Sequence, residues 1–351
     1  VRLAYDGLEI SVGAAPAMSA VPRNSEPKVY WNLDDLPANF GPSAVAIGNF
    51  DGVHEGHQQV LKRCQQIAAD RWLKPTVLTF HPHPKKLVSP ANAPESLEPI
   101  EKRIERMAEC GITQVVVLPF DAELAALSAT EFIRKVLNGK LDSKAILVGD
   151  NFCFGNRASG NVDLLKEMAE KFGYQVEITE GVTTKGRPVS STVIRELLAA
   201  GRAGLANRLL GYEFCLEGNV VSGQGIGHKQ TVPTLNLDVK PLLQGERVIP
   251  RSGVYVTQTQ DLNDGRTWPS ITNIGYRPTF AGNDLSIETY LLEDLVGESP
   301  ARIRVDFRAW IREERKFENP EELKAQILRD VGRAQAYWRR RARWTRPASD
   351  F

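Results

Sequence analysis

Gly48-Asn49-Phe50-Asp51-Gly52-Val53-His54-Glu55-Gly56-His57 is the stretch on which the reading of this chain turns. An apolar run, Ala44-Val45-Ala46-Ile47, leads into it, and apolar positions at helical spacing (Val60, Leu61, Cys64, Ile67, Ala68) follow it. Strand, tight turn, helix is the layout that sets a helix N-terminus against a phosphate. His54 and His57 stand at i and i+3, so both can reach one triphosphate, and the chain holds only five histidines. Their N–H groups suit the charge that builds on phosphate oxygens during nucleotidyl transfer, while Gly52 and Gly56 let the backbone come close. An HxGH tetrapeptide alone says little. The strand and the GNFDGV run before it make it specific.

Working outward, residues 43 to 200 alternate apolar strands with amphipathic helices, which predicts an open parallel α/β sheet, Rossmann-like in layout. The expected strands are Ala44–Ile47, Thr76–Phe80, Gln114–Leu118, Ala145–Val148 and Gln175–Ile178. The expected helices are Gln58–Asp70, Ile100–Glu109, Ala129–Leu137, Val162–Lys171 and Val193–Ala199. The carboxyl ends of the strands then share one rim, where ligands bind in such sheets. After Gly211 short period-2 runs replace the helices: Phe214–Val221, Leu235–Val239, Gly253–Gln258, Trp268–Ile274, Ser286–Leu292 and Ile303–Trp310. They predict an antiparallel β-barrel closed by a helix over Pro320–Arg340. The domains expected are 28–211 and 212–343, with a poorly ordered extension at 1–27 and a tail at 344–351.

The remaining unusual chemistry sits where the strands end. Thr79-Phe80-His81-Pro82-His83-Pro84 cannot continue a ladder, and Phe80, Pro82 and Pro84 offer a stiff apolar wall for a flat ring. Val148-Gly149-Asp150-Asn151-Phe152-Cys153-Phe154-Gly155 places an amide, Asn151, where it can pair with the edge of a planar heterocycle. In Ser190-Ser191-Thr192-Val193-Ile194-Arg195, hydroxyls cap a helix and Arg195, one turn in, suits a clamp on the β/γ-phosphates. The preceding Thr183–Arg187 segment can close the phosphate pocket. In the barrel, Gly223, Gly225 and Gly227 form a nest able to wrap phosphates. Thr234 and Asn236, at i and i+2 on one strand face, carry neutral oxygens suited to Mg²⁺ that already holds phosphate. Glu288, on the face opposite Ile287, is either a base for an attacking hydroxyl or an outward surface carboxylate.

Composition narrows the class. At 351 residues two domains are expected. Apolar and charged fractions of 42% and 25% are those of an ordinary globular protein, and a net charge of +1 gives no global attraction to nucleic acid or an anionic membrane. No apolar run approaches the roughly 18 residues of a transmembrane helix. Residues 1–27 lack the order of a secretory signal. Cys64, Cys110, Cys153 and Cys215 have no paired spacing, so they read as thiols in a reducing cytosol and not as metal ligands. The Arg-rich end (Arg339, Arg340, Arg341, Arg343, Arg346) with Trp338 and Trp344 reads as a solvated helix end suited to the dipole, with a grip on a polyanion as the alternative.

Together these strings resemble the prokaryotic bifunctional riboflavin kinase/FAD synthetases. GNFDGVHEGHQ, TFHPHP, GDNFCFG, SSTVIR, PTLN, NIGYRPTF and IETYLL stand in that family's order between about Lys28 and Trp338. The resemblance implies that the barrel phosphorylates riboflavin with ATP to FMN and that the α/β domain adenylylates FMN to FAD, releasing pyrophosphate, with Mg²⁺ and ATP required. It places His54 and His57 on the ATP phosphates, with Asn49 and Asp51 shaping the turn. Gly52, Gly56, Ser191, Thr192 and Arg195 would complete the phosphate contacts. It places Phe80, Pro82, Pro84 and Asn151 around the flavin and nucleotide, Thr234 and Asn236 on Mg²⁺-ATP, and Glu288 as the base for the ribityl hydroxyl. Departures from the family pattern stand at Thr231, where a glycine is usual, at Leu235 for alanine, and at Tyr290 where histidine is frequent; Thr231 stiffens the phosphate loop. A rival reading is a single-activity FMN adenylyltransferase with a degenerate barrel. Another, a barrel that binds RNA or protein, lacks a basic and aromatic strand face. Riboflavin, FMN and ATP are therefore the expected partners, with neither nucleic acid nor membrane.

Overall fold

Five apolar runs and one edge strand build the parallel sheet of the first domain: β1 (Lys28–Tyr30), β2 (Ser43–Ile47), β3 (Lys74–Phe80), β4 (Gln114–Leu118), β5 (Ser143–Gly149) and β6 (Gln175–Thr179). The computed structural model describes residues 26–184, 186–221, 234–279 and 282–345. The expected nest Gly223, Gly225 and Gly227, Thr231, the tail from 346 and the extension up to residue 25 lie outside the described residues. The spatial order is β1-β4-β3-β2-β5-β6. From β2 the chain steps outward to β3 and β4, then returns to the other side of β2 for β5 and β6. The switch point lies beside β2, and the crevice over its carboxyl end is where such sheets bind ligands.

Helices cover both faces. On one, α1 (Glu55–Arg71) and α2 (Ile100–Glu109) bury Leu61, Cys64, Ile104 and Met107 against Ala44, Ala46, Val115 and Leu147. On the other, α3 (Ala129–Glu131, continuing as a π-helix over Phe132–Lys140) and α4 (Val162–Phe172) pack Ile133, Leu137 and Leu165 on Val45, Ile47, Ile146 and Val148. Neighbouring residues of β2 thus serve opposite cores, which is why its sequence is apolar throughout. Two expectations shift by a few residues. Helix α1 begins at Glu55, not Gln58, so His57 lies in its first turn; α5 (Ser191–Ala199) begins at Ser191 and includes Thr192.

Helix α6 (Ala203–Leu210), not expected from the sequence, ends at Gly211. The barrel follows as β7 (Cys215–Val221), β8 (Leu235–Leu237), β9 (Gly253–Asp261), β10 (Thr267–Thr279), β11 (Gly282–Leu291) and β12 (Arg302–Arg312), closed in the order β8-β11-β10-β9-β12-β7. Helix α7 (Pro320–Thr345) runs on past the expected Arg340, and Val331, Ala334 and Tyr337 pack with Val254, Val256 and Ile271 outside the barrel. Part of the buried face is polar and self-satisfied: Thr257, Ser270, Thr272 and Thr289 exchange hydroxyl hydrogen bonds of 2.8–2.9 Å. Buried hydroxyls of this kind cost little because each has a partner.

The apolar core does not stop at Gly211. Leu197 and Leu198 of α5 and Ala206, Leu209 and Leu210 of α6 share one cluster with Phe214, Leu216, Tyr255 and Phe307 of the barrel. Leu210 has no exposed surface. Leu210→Ala should cost about 2–5 kcal/mol, the usual range for an uncollapsed cavity. Thermal unfolding followed by circular dichroism should show one transition at lower temperature; two transitions, with only one displaced, would mean the cores are independent.

Candidate active site

Beyond Ile47 the chain folds into a turn in which Phe50 (φ 48°), Gly52 (φ 78°) and Val53 (φ 28°) all take positive φ. Glycine alone adopts this without strain, and a Cβ on Gly52 would lie 2.8 Å from Leu97 Cδ1. The other two are held there by what surrounds them. The Asp51 carboxylate is 4% exposed; it accepts the Leu97 N–H at 3.1 Å and the Ser96 hydroxyl at 3.3 Å, and pairs with the Arg195 guanidinium. The carbonyls of the turn are held in the same way. Ser191 Oγ donates to Asp51 O at 2.8 Å, Tyr212 Oη to Gly52 O at 2.7 Å, and Gln58 Nε2 to Val53 O at 3.0 Å.

Two expected phosphate ligands therefore have structural partners. Arg195 bonds Asp51 and, through Nε, the Glu95 carbonyl at 2.7 Å, and Ser191 is committed to the turn. Thr192 is exposed at the start of α5, and Ser190 is the residue that caps it, accepting from Val193 N. Asn49 sits at the rim: its amide lies 3.2 Å from His83 Nε2, and its carbonyl accepts from Thr79 and from Arg103. Arg103, His83 and Tyr212 were not singled out by sequence. The last two belong to quoted or adjoining strings, but only the fold shows what they touch.

His54 is the N-cap of α1, and its Nδ1 accepts the His57 backbone N–H at 3.3 Å. In the neutral ring the proton is therefore on Nε2. A Cβ on Gly56 would sit 3.3 Å from the His54 ring, so Gly56 makes room for it. The two imidazoles stack at 3.6 Å between centroids and 16° between planes, and His57 packs edge-on against Phe50. Burial, opposed by the nearby Asp51 carboxylate, lowers the His54 pKa from 6.5 to about 4. Burial and the neighbouring His54 hold His57 well below 6.5 as well. Near neutrality both are uncharged N–H donors beside a helix N-terminus, and the Nδ1 of His57 is buried without a partner among the described residues.

His57 opens onto a cavity of about 610 Å³ walled by the ends of β2, β3 and β5: Ile47, Phe80 and Gly149. Asn49, Pro84, Asn151, Phe152 and Phe154 line it too. Phe152 and Phe154 stack 5.4 Å apart, and Phe80 meets Phe120 edge-on. This is an aromatic slot with an amide at its edge, suited to a flat heterocycle. Pro82 is the exception among the expected wall residues. It is exposed and lines neither this cavity nor the one between the domains described below, because the chain turns outward between Phe80 and His83.

On the barrel, Asn236 of β8 stands in register with Glu288 of β11, and Glu288 in turn with Asn273 of β10. Ile287 and Thr289 are buried, so strand alternation puts half-buried Glu288 on the other face, with Asn236 and Asn273 beside it. Thr234 is exposed two residues before Asn236, whose amide donates to Thr234 O at 3.4 Å. Three of the residues expected in the barrel site thus share one surface, and Asn273 joins them. Among the described residues no cluster of three His, Cys, Asp or Glu side chains could cage a metal. The donor set on this face is neutral oxygen, the kind that complements a cation brought by phosphate.

An open α/β sheet with a histidine pair at a helix N-terminus, followed by a closed barrel with an amide and carboxylate face, defines a two-domain nucleotide-dependent transferase. Residues 36–193 match the FAD synthetase family and residues 210–338 the riboflavin kinase family. The bifunctional riboflavin kinase/FMN adenylyltransferase of Escherichia coli strain K12 is 35% identical over 88% of this chain and 96% of its own. That of Pseudomonas fluorescens is 37% identical over 87% and 96%. The chain belongs to the bifunctional riboflavin kinase/FMN adenylyltransferase family. A crystal structure from Streptococcus pneumoniae, described as a macrolide-efflux protein, shares the fold with a TM-score of 0.77 at 24% identity, covering 89% of this chain and 99% of that one.

The depressed histidines make stability depend on pH with a definite sign. Between 6.5 and about 4 the unfolded chain binds a proton that folded His54 refuses, so stability falls as pH falls through that window. The loss through His54 is on the order of 2–3 kcal/mol. Denaturant titrations at several pH values should give a shallower acid slope for His54→Asn than for the wild type; parallel slopes would refute the assignment.

Proposed function

We propose that this chain makes FAD in two ATP-dependent steps at separate sites, with residues 212–343 forming FMN from riboflavin and residues 28–211 joining FMN to AMP. The observation that carries the second step is His57, on the wall of the aromatic cavity and stacked on the buried N-cap His54 behind it. A phosphate oxygen of FMN attacks the α-phosphorus of ATP, the bond to the β-phosphate oxygen breaks, and pyrophosphate leaves. His54 and His57 donate N–H bonds to the phosphate oxygens as charge shifts to the leaving group. Phe80, Pro84, Asn151, Phe152 and Phe154 hold a planar ring. Asp51, Ser191 and Arg195 act one layer back, by fixing the turn.

In the barrel Glu288 takes the proton of the primary ribityl hydroxyl as that oxygen bonds to the γ-phosphorus of ATP, and ADP leaves. Mg²⁺ would be held with ATP by Thr234 and Asn236, where it neutralises the triphosphate charge. Asn273, beside Glu288, is placed to orient the same hydroxyl. The free thiols, Cys64 buried among them, fit a reducing cytoplasm, and the reaction needs no nucleic acid or membrane.

Purified protein given riboflavin, ATP and Mg²⁺ should yield FMN and then FAD by chromatography, and chelation of Mg²⁺ should stop both. If FMN never forms while added FMN is adenylylated, the chain is a single-activity adenylyltransferase. His57→Ala should abolish FAD formation from added FMN and leave riboflavin phosphorylation intact. Glu288→Ala should do the reverse, slowing FMN formation by roughly 10²–10⁴-fold. Loss of both activities in either folded variant would contradict two separate sites.

A further inference from the structure

A second cavity, of about 340 Å³, lies between the two domains. Asp51, His83 and Arg103 line it from the α/β side, and Cys215, Arg247 and Arg304 from the barrel side. Most cations on its wall are paired: Lys86 with Glu246 at 2.9 Å, Arg106 with Glu98 at 2.6 Å, Arg304 with Asp306 at 2.8 Å and Lys102 with Glu105 at 2.9 Å. Two are less fully bonded.

Arg247 is 8% exposed, and among the described residues its guanidinium makes one hydrogen bond, from Nη2 to the Cys215 carbonyl at 3.3 Å; Nε and Nη1 are buried without partners there. Arg103 is 6% exposed and bonds the Asn49 carbonyl and the Ser96 hydroxyl. Its Nε has no hydrogen-bond partner; it makes a long ion pair, 3.9 Å, with Asp51 Oδ1, while Arg195 holds Oδ2 of the same carboxylate. The carboxylates nearby do not remedy this. Glu98 bonds Arg106 through Oε1 while its Oε2 is buried without a hydrogen-bond partner among the described residues, and burial raises its pKa toward the neutral acid; Glu101 and Glu217 also line the cavity but make no bond to either guanidinium.

A buried guanidinium satisfied by carbonyl oxygens alone keeps its charge at full desolvation cost. Arg247 is such a group, and Arg103, whose Nε lacks a hydrogen-bond partner, lines the same cavity from the other domain; together they make a fork-shaped receptor for a planar or tetrahedral oxyanion. We propose that this seam is an anion-binding site of the phosphate class, separate from the catalytic cavity and closed by Arg103 and Arg247. His83 lines both cavities and bonds Asn49, so an occupant at the seam sits one side chain away from the catalytic turn. The chemistry fits a phosphate monoester such as FMN and equally inorganic phosphate or pyrophosphate.

Binding is read directly, without turnover, and so does not depend on the assignment of activities. Calorimetric titration of inorganic phosphate and pyrophosphate into His57→Ala, without Mg²⁺ or ATP, should give a binding isotherm. Adding Arg247→Gln should weaken it about tenfold or more. Arg103→Lys, which keeps the charge and removes the fork, should weaken it less, and it serves if Arg247→Gln does not fold. Parallel titrations with FMN and riboflavin identify the source: an Arg247-dependent component seen with FMN and absent with riboflavin marks the flavin phosphate, and its absence from both marks the inorganic anions. No binding to His57→Ala, or equal affinity with and without the arginines, would overturn the proposal.

Discussion

The buried carboxylate of Asp51 is the constraint on which the catalytic end of the molecule depends. A turn with three successive-neighbourhood positive φ angles is not a conformation a free chain keeps, since each strained non-glycine residue costs of order 1–3 kcal/mol. Asp51 offsets that by joining four elements at one point: the turn itself, the backbone at Leu97 and Glu98, the Ser96 hydroxyl and Arg195 of α5. Each bond is charge-assisted and shielded from water, which makes it stronger than its exposed counterpart. The result is that His54 reaches the N-cap of α1 with its ring over Gly56, and His57 follows stacked on it.

The same turn ties the two domains together. Tyr212, just past α6, holds the Gly52 carbonyl, and Gln58 bridges Val53 to Leu210, while Arg106 lies over the Tyr212 ring at 3.3 Å. Beneath these polar bonds the apolar residues of α5 and α6 fill the barrel's own cluster. Two catalytic sites can be chemically independent and still share one folding core. Apart from the SSTVIR string, the segment from Ser190 to Tyr212 serves this shared core and lines none of the aromatic cavity.

Much of this was legible in the residues, and the failures have physical causes. Strands β2, β4 and β5 are buried on both faces, so their apolar runs stand out, and the closing barrel announced itself through period-2 alternation. Strand β1 escaped because three residues at a sheet edge, only partly buried, make no pattern. Helix α6 escaped because its buried face, Ala203, Ala206, Leu209 and Leu210, is short and adjoins α5 through Gly201-Arg202. The turn and the place of the histidines at the start of α1 were recognisable from type and spacing; the bonds of Arg195 and Ser191 to Asp51 were not. An arginine one turn into a helix looks the same in sequence whether it meets a phosphate or a carboxylate, and only the long-range approach of Asp51 distinguishes the two.

The electrostatic layout favours anions without holding fixed charge at the reacting atoms. His54 is neutral because burial outweighs the pull of Asp51, and burial beside His54 holds His57 neutral too, so the aromatic cavity is met by an uncharged imidazole. The permanent cations stand further back, Arg195 neutralised by Asp51 and Arg103 at the seam. The two guanidiniums sit on different oxygens of one carboxylate, and with the Leu97 N–H they hold Asp51 and so the turn that carries the histidine pair.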